Sequence, residues 1–292
     1  MSNNIPSTPL VPITGRDAQV IDLWLHGRPL HTQRAYRADA RALLAFAGKP
    51  LPQLTLADLQ AYADSIADQA DSSKARRLAV VKSLLRFAHQ MGYLPVDVGR
   101  PLRLPRRSER LAERIMPEAA VHRLFALERD RRNHAVLRVL YATGARVSEL
   151  CGMRWRHLAT RGKGGQVTLH GKGDKERTVL LPPSIWEELL DLRGPAYARH
   201  YPSPDAPVFR SRNGRPLSVR RVHQLVRKAA QRAGLPAEVS PHWLRHAHAS
   251  HSLSRGCPIH LVQATLGHAS IATTGRYLHA MPDESSSTYL AV

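Results

Sequence analysis

The sequence predicts a mainly helical chain with a small antiparallel β-sheet, organised as two domains. Apolar residues recur at helical spacing through the first third, and two strand-like runs flank a polar turn further on. A segment rich in proline and arginine separates the two parts, and 292 residues are enough for two domains that each bury a core. The expected divisions are a flexible tail at 1–15, a helical domain at 16–99, a basic linker at 100–114 and a second domain at 115–292.

Four short helices are expected in the first domain, which suits a small helical bundle. Each has a start signal or an apolar stripe, and glycines follow two of them. The expected starts are residue 20 for the weakest helix, Thr32, Thr55 in a capping box with Asp58, and Ser72 or Ser73.

The linker between Arg100 and Arg114 contains two prolines, which stop helices, and six arginines, which suit a phosphate backbone. A solvated connection without a ligand is the alternative interpretation. The candidate DNA contacts in this segment are Arg100, Arg103, Arg106, Arg107 and Arg110.

The second domain is expected to combine helices with one β-hairpin, whose strands at 166–170 and 177–181 flank the polar turn 171–176. Ser240 and Pro241 provide an N-cap and a first-turn proline for a helix that ends near residue 254. The other expected helices cover 117–128, 134–142 and 218–234, and one more begins at a capping box of Ser184 and Glu187.

The charge of the chain points to a polyanionic partner. Lys and Arg number 43 against 23 Asp and Glu, a formal net charge of +20, and nucleic acid is the usual partner of such a protein. An anionic membrane surface is the alternative, but no long basic amphipathic helix stands out. The expected basic helix 218–234 supplies further candidate DNA contacts at Arg220, Arg221, Arg227 and Lys228.

Other sequence features argue against secretion and membrane insertion. There is no run of about 18 apolar residues, and the first 14 residues lack the basic start and apolar core of a secretion signal. Cys151 and Cys257 stand far apart without a partner pattern. These features indicate a reduced, cytoplasmic protein.

Residues 240–281 contain no Asp or Glu but three arginines and seven histidines, which suggests a site for an anion. His242 and Arg245 lie three residues apart near a helix N-terminus, so both side chains and the free N–H groups can face one phosphate. Most of the seven histidines are expected to be structural. A metal site at His242, His246 and His248 is the rival, but no carboxylate is nearby and Arg245 would repel a cation.

Five motifs, in this order, resemble those of the tyrosine recombinases, the family of Xer proteins and phage integrases. T-G-A-R-V-S-E-L at 143–150 is similar to the box of the first catalytic arginine, and H-G-K-G-D-K at 170–175 to the turn with the catalytic lysine. S-P-H-W-L-R-H at 240–246 resembles the H-x-x-R box, and L-G-H-A-S at 266–270 the L-G-H box. T-T-G-R-Y at 273–277 then resembles the segment that carries the nucleophile.

The resemblance covers residues 20–290, although the N-terminal helices match only in pattern and size. It implies a SAM-like core-binding domain followed by a tyrosine recombinase catalytic domain. Ala247, His248 and Leu278 depart from residues common in the family, but none occupies a catalytic position. The catalytic residues that the resemblance implies are Arg146, Lys172, His242, Arg245, His268 and Tyr277.

The implied reaction is cleavage and rejoining of duplex DNA through a 3′-phosphotyrosyl bond to Tyr277. Arg146 and Arg245 would neutralise the phosphate oxygens, and Lys172 would protonate the departing 5′ oxygen. The two histidines would add hydrogen bonds, and either could help to move the tyrosine proton. No metal, ATP or other cofactor is required. Glu149 resembles a position that supports the first arginine, with a surface glutamate as the alternative.

The resemblance also implies an assembly: a C-shaped clamp on DNA, with four protomers that exchange strands through a Holliday junction. Such a protein integrates, excises or resolves DNA in the nucleoid, with or without a second recombinase or accessory protein. Residues 280–290 would pack into a neighbouring subunit, with a frayed tail as the alternative. A type IB topoisomerase, a DNA-binding protein without catalysis and a metal-dependent nuclease are the other functions considered.

Overall fold

The structure is a computed structural model that describes residues 15–105, 111–171, 175–194, 199 and 203–278. Across these residues the chain is mainly helical with one three-stranded antiparallel sheet, which confirms the expected fold class. The chain divides into two compact units between residues 109 and 110.

The N-terminal unit contains the four expected helices around one apolar core, which includes the fully buried Ile21, Leu43, Leu59 and Leu84. Apolar stripes on each helix meet in this core, and that burial supplies most of the stability of such short helices. The helices are α1 Gly15–Leu25, α2 Leu30–Ala47, α3 Leu56–Ser65 and α4 Asp71–Gln90.

The helix starts of this unit are partly as expected. The capping box of Thr55 and Asp58 is present, with Asp58 N–H donating to Thr55 Oγ1. The other three starts were wrong: α1 begins at Gly15 and not at residue 20, α2 begins before Thr32, directly after Pro29, and α4 begins at Asp71, ahead of Ser72 and Ser73. Neither α2 nor α4 uses a capping side chain: α2 follows Pro29, and Asp71 places a negative charge in the first turn of α4, which the helix dipole favours.

The C-terminal unit has its own core, built where helices from several parts of the unit meet the sheet. Its first half contains α5 Glu118–Ala126, α6 Arg131–Thr143, α7 Val147–Gly152, β1 Leu158–Arg161, β2 Gly164–His170 and β3 Glu176–Leu181. Its second half contains α8 Pro183–Arg193, α9 Val219–Arg232, α10 Pro241–Ser254, α11 Ile259–Leu266 and α12 Ile271–Gly275.

The sheet has the order β1-β2-β3, with both pairs antiparallel. The expected hairpin is β2 and β3, in which Thr168 lies opposite Thr178. Strand β1 was not expected, because it is only four residues long and none of them is fully buried, so it has no clear alternating pattern. Gly171, directly after β2, lies close to Arg146 and Glu149 at the N-terminus of α7.

Some helices of this unit begin at a proline and others at a capping side chain. Helix α8 begins at Pro183 after Pro182, so the expected capping box of Ser184 and Glu187 was wrong; proline is favoured at the first helical position. Helix α9 begins as expected, with Ser218 Oγ accepting from Arg221 N–H. Helix α10 also begins as expected, at Pro241, although Ser240 makes no side-chain capping bond.

Helix α9 is basic, as predicted, and it is also amphipathic, although no long basic amphipathic helix was expected. Its apolar face, which includes Val222, Leu225 and Val226, is buried in the core, so it is not free to enter a membrane. None of the helices in the described ranges combines the length and apolar composition that a membrane span needs.

Candidate active site

The site lies where α10 and α11 of the C-terminal unit meet α6 and α7. Helix α10 packs against α6 and α11, and a small core of Ile115, Ala249, Val262 and Leu266 holds Tyr277. The acid-free segment of the sequence therefore folds onto the start of α7, which carries Arg146 and Glu149.

Arg245 is almost completely buried, with 5% of its surface exposed. Its Nη1 donates to the Gly144 carbonyl over 2.5 Å and its Nη2 to the Leu266 carbonyl over 2.7 Å. Burial, followed by repulsion from Arg146, lowers the pKa of Arg245 to about 10, so the guanidinium remains charged at neutral pH. The Arg245 guanidinium is therefore a fixed positive charge that is largely shielded from solvent.

Three arginines donate to three consecutive carbonyls at the C-terminal end of α11. Arg177 Nε donates to Thr265 over 2.6 Å, Arg245 Nη2 to Leu266, and Arg146 Nη2 to Gly267 over 3.2 Å. Carbonyls in the last turn of a helix have no partner within it, and the helix dipole makes this end negative. The C-terminal end of α11 therefore binds guanidinium groups from β3, from α10 and from the start of α7.

Glu149 is the acidic side chain that balances this cluster, and its carboxylate is 1% exposed. It accepts hydrogen bonds from both Nη atoms of Arg177, from Arg146 Nη1 and from the Arg146 backbone N–H, all between 2.7 and 2.8 Å. Burial alone would raise the pKa of Glu149, but these bonds from Arg177 and Arg146 lower it below its ordinary value. The carboxylate is therefore ionised and fixes the direction of both arginines.

Tyr277 follows α12 and is 6% exposed. Its hydroxyl lies 2.7 Å from His246 Nδ1. Burial raises the pKa of Tyr277, partly offset by Arg245 and Arg276, so the phenol is protonated at neutral pH.

His268 lies beside Tyr277 with the two rings parallel, at 4° and 6.5 Å between centroids. Its Nδ1 lies 2.9 Å from the hydroxyl of the fully buried Thr274. Burial, followed by Arg245 and Arg146, lowers the pKa of His268 to about 4, so the ring is neutral at physiological pH. A neutral ring with one nitrogen already bonded can offer the other to a ligand.

His242 lies at the edge of the site, in the first turn of α10, and is only partly exposed. Desolvation lowers the pKa of His242, and Arg245, His223 and Arg146 lower it further. The structure therefore brings together Arg146, Arg245, His268 and Tyr277 as expected, with His242 nearby.

Two residues of this constellation were missed in the sequence. Arg177 was considered only as part of a strand, and His246 only as a metal ligand. Neither has a local signal: Arg177 acquires its role because β3 packs against α11, and His246 because Tyr277, after α12, contacts it. Only the tertiary structure brings their partners to them.

Lys172 lies outside the described residues, but the residue before it can be placed. A Cβ built on Gly171 would lie 3.4 Å from Glu149 Oε1 and 3.9 Å from Arg146 Nη1. The described end of the hairpin turn therefore approaches the arginine cluster.

Two other histidines of the acid-free segment, His248 and His251, make structural contacts. His248 Nδ1 contacts the Tyr141 carbonyl at 2.8 Å. His251 uses both ring nitrogens, toward Tyr141 Oη at 2.9 Å and the Met116 carbonyl at 3.0 Å. Within the described ranges, no three His, Cys, Asp or Glu side chains are grouped so that they could hold a metal ion.

The candidate DNA contacts are exposed wherever the structure describes them. Arg106, Arg107 and Arg110 lie outside the described residues. The exposed ones are Arg100, Arg103, Arg220, Arg221, Arg227 and Lys228, and the last four share helix α9.

Comparison with known families covers most of the chain. The family model described as "Phage integrase family" matches residues 113–284, and that of "Phage integrase, N-terminal SAM-like domain" matches residues 21–92.

Two relatives illustrate the similarity in sequence. The tyrosine recombinase XerC of Xylella fastidiosa (strain M23) is 33% identical over 263 residues, which cover 87% of this chain and 87% of that protein. The tyrosine recombinase XerD of Mycobacterium tuberculosis (strain ATCC 25618 / H37Rv) is 39% identical over 218 residues, which cover 70% of this chain and 68% of that protein.

Solved structures share the fold. The XerH site-specific recombinase in a post-cleavage complex with a palindromic difH substrate has a TM-score of 0.75 at 18% identity, covering 94% of this chain and 83% of that one. A lambda integrase dimer bound to a COC′ core site has a TM-score of 0.74 at 19% identity, covering 92% and 77%.

Proposed function

The chain belongs to the phage integrase family of tyrosine recombinases and is a site-specific DNA recombinase, and we propose that Tyr277 is its nucleophile. The observation that carries this assignment is the setting of the Tyr277 hydroxyl, which is hydrogen-bonded to an imidazole beside the buried Arg245. Attack by this oxygen on a DNA phosphate would form a 3′-phosphotyrosyl bond and release a 5′ hydroxyl. The new ester keeps the energy of the broken bond, so rejoining needs no ATP.

Arg146 and Arg245 are proposed to stabilise the transition state. A phosphodiester that is attacked by phenolate gains negative charge on its non-bridging oxygens, and fixed cations stabilise that charge without reorganising. Both guanidiniums are held by backbone carbonyls, and Glu149 orients Arg146. Preorganisation of this kind supports a catalytic role.

His242, His268 and Lys172 complete the proposed set. His242 and His268 would donate hydrogen bonds to the phosphate, since each is held near the two arginines. Lys172 would protonate the departing 5′ oxygen, a role supported by the short distance from the preceding Gly171 to Arg146 and Glu149.

DNA contacts are proposed from basic residues on both sides of the domain boundary. They comprise the linker arginines Arg100, Arg103, Arg106, Arg107 and Arg110, and Arg220, Arg221, Arg227 and Lys228 of α9. The proposed divisions are a tail at 1–15, a core-binding domain at 16–99, a linker at 100–114 and a catalytic domain at 115–292. The separation of two compact units near residue 109 supports them.

The proposed assembly is four protomers on two DNA sites, which exchange strands through a Holliday junction in the cytoplasm, at the nucleoid. Residues 280–290, which lie outside the described residues, are the proposed contact with a neighbouring subunit. The solved relatives bound to DNA, among them the lambda integrase dimer on its core site, support DNA as the substrate.

Covalent trapping tests the nucleophile. The protein would be incubated with sheared genomic DNA of the organism that encodes it, in EDTA, then denatured and examined for protein attached to 3′ DNA ends. Wild-type protein should form adducts whose sequenced ends reveal the site. Tyr277→Phe should bind this DNA with unchanged affinity but form none; adducts from Tyr277→Phe would show that another residue is the nucleophile.

A further inference from the structure

Among the residues that the structure describes, the imidazole hydrogen-bonded to the Tyr277 hydroxyl is that of His246, which is neither of the two histidines to which the family resemblance assigns a role. Tyr277 Oη lies 2.7 Å from His246 Nδ1, with 5.7 Å between ring centroids. His246 lies one turn along α10 from His242 and next to Arg245. The packing of Tyr277 in its small apolar core holds this contact in place.

We propose that His246 is the proton acceptor for the Tyr277 nucleophile, an inference that rests on the proposed function. In the cleavage step the Tyr277 O–H bond breaks and an N–H bond forms at His246 Nδ1. The phenolate forms the bond to phosphorus as the bond to the 5′ oxygen breaks, and that oxygen takes its proton from Lys172. On rejoining, the proton on His246 returns to the departing phenolate oxygen.

The other two histidines are less suited to this step. The His268 ring lies parallel to the Tyr277 ring, and its Nδ1 contacts Thr274 Oγ1 at 2.9 Å. The His242 ring is 6.4 Å from that of His246, on the side of α10 nearer its start. Both can therefore serve the phosphate while His246 serves the nucleophile.

The tautomer follows from this geometry. An imidazole that accepts from the tyrosine at Nδ1 carries its own proton on Nε2. His246 also lines a cavity of about 580 Å³, through which water can reach the ring. The charged and titratable groups around His246 are His242, Arg245, Arg114, Arg276 and Tyr277, with Glu113 and Glu238 across the cavity.

The surroundings make proton transfer depend on DNA. Burial and the nearby positive groups lower the pKa of His246 to about 4, while burial raises the pKa of Tyr277. Without DNA the proton therefore stays on the phenol, and the nucleophile is inactive. A phosphodiester bound between Arg146 and Arg245 adds a negative charge beside His246, which favours the protonated imidazole. Binding of the substrate would thus activate the base.

Single-turnover cleavage separates proton transfer from positioning. The probe is a nicked duplex that carries the site recovered by adduct sequencing, so that the cleaved strand is lost and the adduct accumulates. His246→Ala removes the contact, whereas His246→Asn keeps an acceptor near the position of Nδ1 but cannot take the proton. Both variants should cleave at least about 100-fold more slowly than wild type, the usual contribution of a general base.

The controls address folding and a merely structural effect. His260→Asn changes an exposed histidine on α11 and should cleave at the wild-type rate. Both His246 variants should bind the probe and unfold like wild type. Their cleavage rate should rise about tenfold per pH unit between pH 7 and 9, because solvent must remove the phenol proton, whereas the wild-type rate should change less.

A modified leaving group distinguishes the base from the acid. Replacing the bridging 5′ oxygen with sulfur gives a leaving group that needs no proton, so it should restore cleavage by Lys172→Ala but not by His246→Asn. Wild-type cleavage rates in His246→Asn would reduce His246 to a positioning residue, and sulfur rescue of His246→Asn would also overturn the proposal. The proposed function is tested separately, by the loss of adducts in Tyr277→Phe.

Discussion

Among single residues, Glu149 is the buried carboxylate that pairs with two arginines of the site. Its carboxylate is buried between Arg177 and Arg146, and these bonds lower its pKa in the folded protein. A lowered carboxyl pKa stabilises the fold above the unfolded-state pKa, and this stability is lost as the pH falls through the folded-state pKa. Glu149 therefore contributes stability at neutral pH that disappears in acid.

Glu149→Gln should lower the free energy of unfolding at pH 7 by about 3–5 kcal/mol, because it leaves buried guanidiniums without their counter-charge. Urea unfolding followed by tryptophan fluorescence measures this well, since Trp155, Trp186 and Trp243 all lie in the C-terminal unit. The difference from wild type should shrink as the pH is lowered below the ordinary carboxyl range. Glu187→Gln, at an exposed position on α8, should show little change at any pH. If the loss in the free energy of unfolding of Glu149→Gln were the same at every pH, the charge of Glu149 would not be the source of its stabilising effect.

The sequence predicted site residues best where their spacing carried the chemistry. His242 and Arg245 were predicted from their spacing on one helix, and Arg146, His268 and Tyr277 from motifs, and all five lie in one region. Arg177 and His246 could not be found this way. Their partners are 28 and 31 residues away along the chain, so their roles exist only after packing.

At the scale of elements, the turn between α6 and α7 positions both arginines. Gly144 ends α6 with a φ of 57°, and its carbonyl accepts from Arg245 Nη1. A Cβ at Gly144 would lie 2.6 Å from Leu266 Cδ2 and 3.0 Å from His248 Cδ2. The left-handed backbone and the close approach of the Leu266 and His248 side chains therefore both favour glycine here.

Gly144→Ala should destabilise the C-terminal unit and slow cleavage, because the added methyl must displace Leu266, whose carbonyl also binds Arg245. Gly234→Ala is the matched control: Gly234 has a φ of 65°, and a Cβ there would meet nothing within 4 Å. The control should cost about 1–2 kcal/mol for the left-handed backbone alone. Gly144→Ala should cost a further 1–3 kcal/mol or so for overpacking. Equal losses in urea unfolding would show that the contact with Leu266 is easily relieved.

Helices were predictable as elements but less so at their ends. The capping box of Thr55 and Asp58 was confirmed because it is local, and both partners lie within one turn. The box of Ser184 and Glu187 was wrong because Pro182 and Pro183 set the start of α8 through their fixed φ. Strand β1 was missed because its four residues carry no strand pattern of their own, and it forms only by pairing with β2.

For the whole molecule, the net charge of +20 makes DNA affinity depend on salt. The contribution of one charged surface to this salt dependence can be measured by removing its charges. Arg220 and Arg227 lie two turns apart on α9, exposed opposite its buried face. If each contacts one phosphate, Arg220→Ala with Arg227→Ala should reduce the slope of log K against log[salt] by about 1.8, with weaker binding to every sequence.

The control removes the same charge at the exposed Arg123 and Arg129, in or next to α5. Titrations between 50 and 200 mM salt give both slopes, to order of magnitude. Equal slopes for the two double variants would mean that α9 acts only through net charge and does not lie on the DNA.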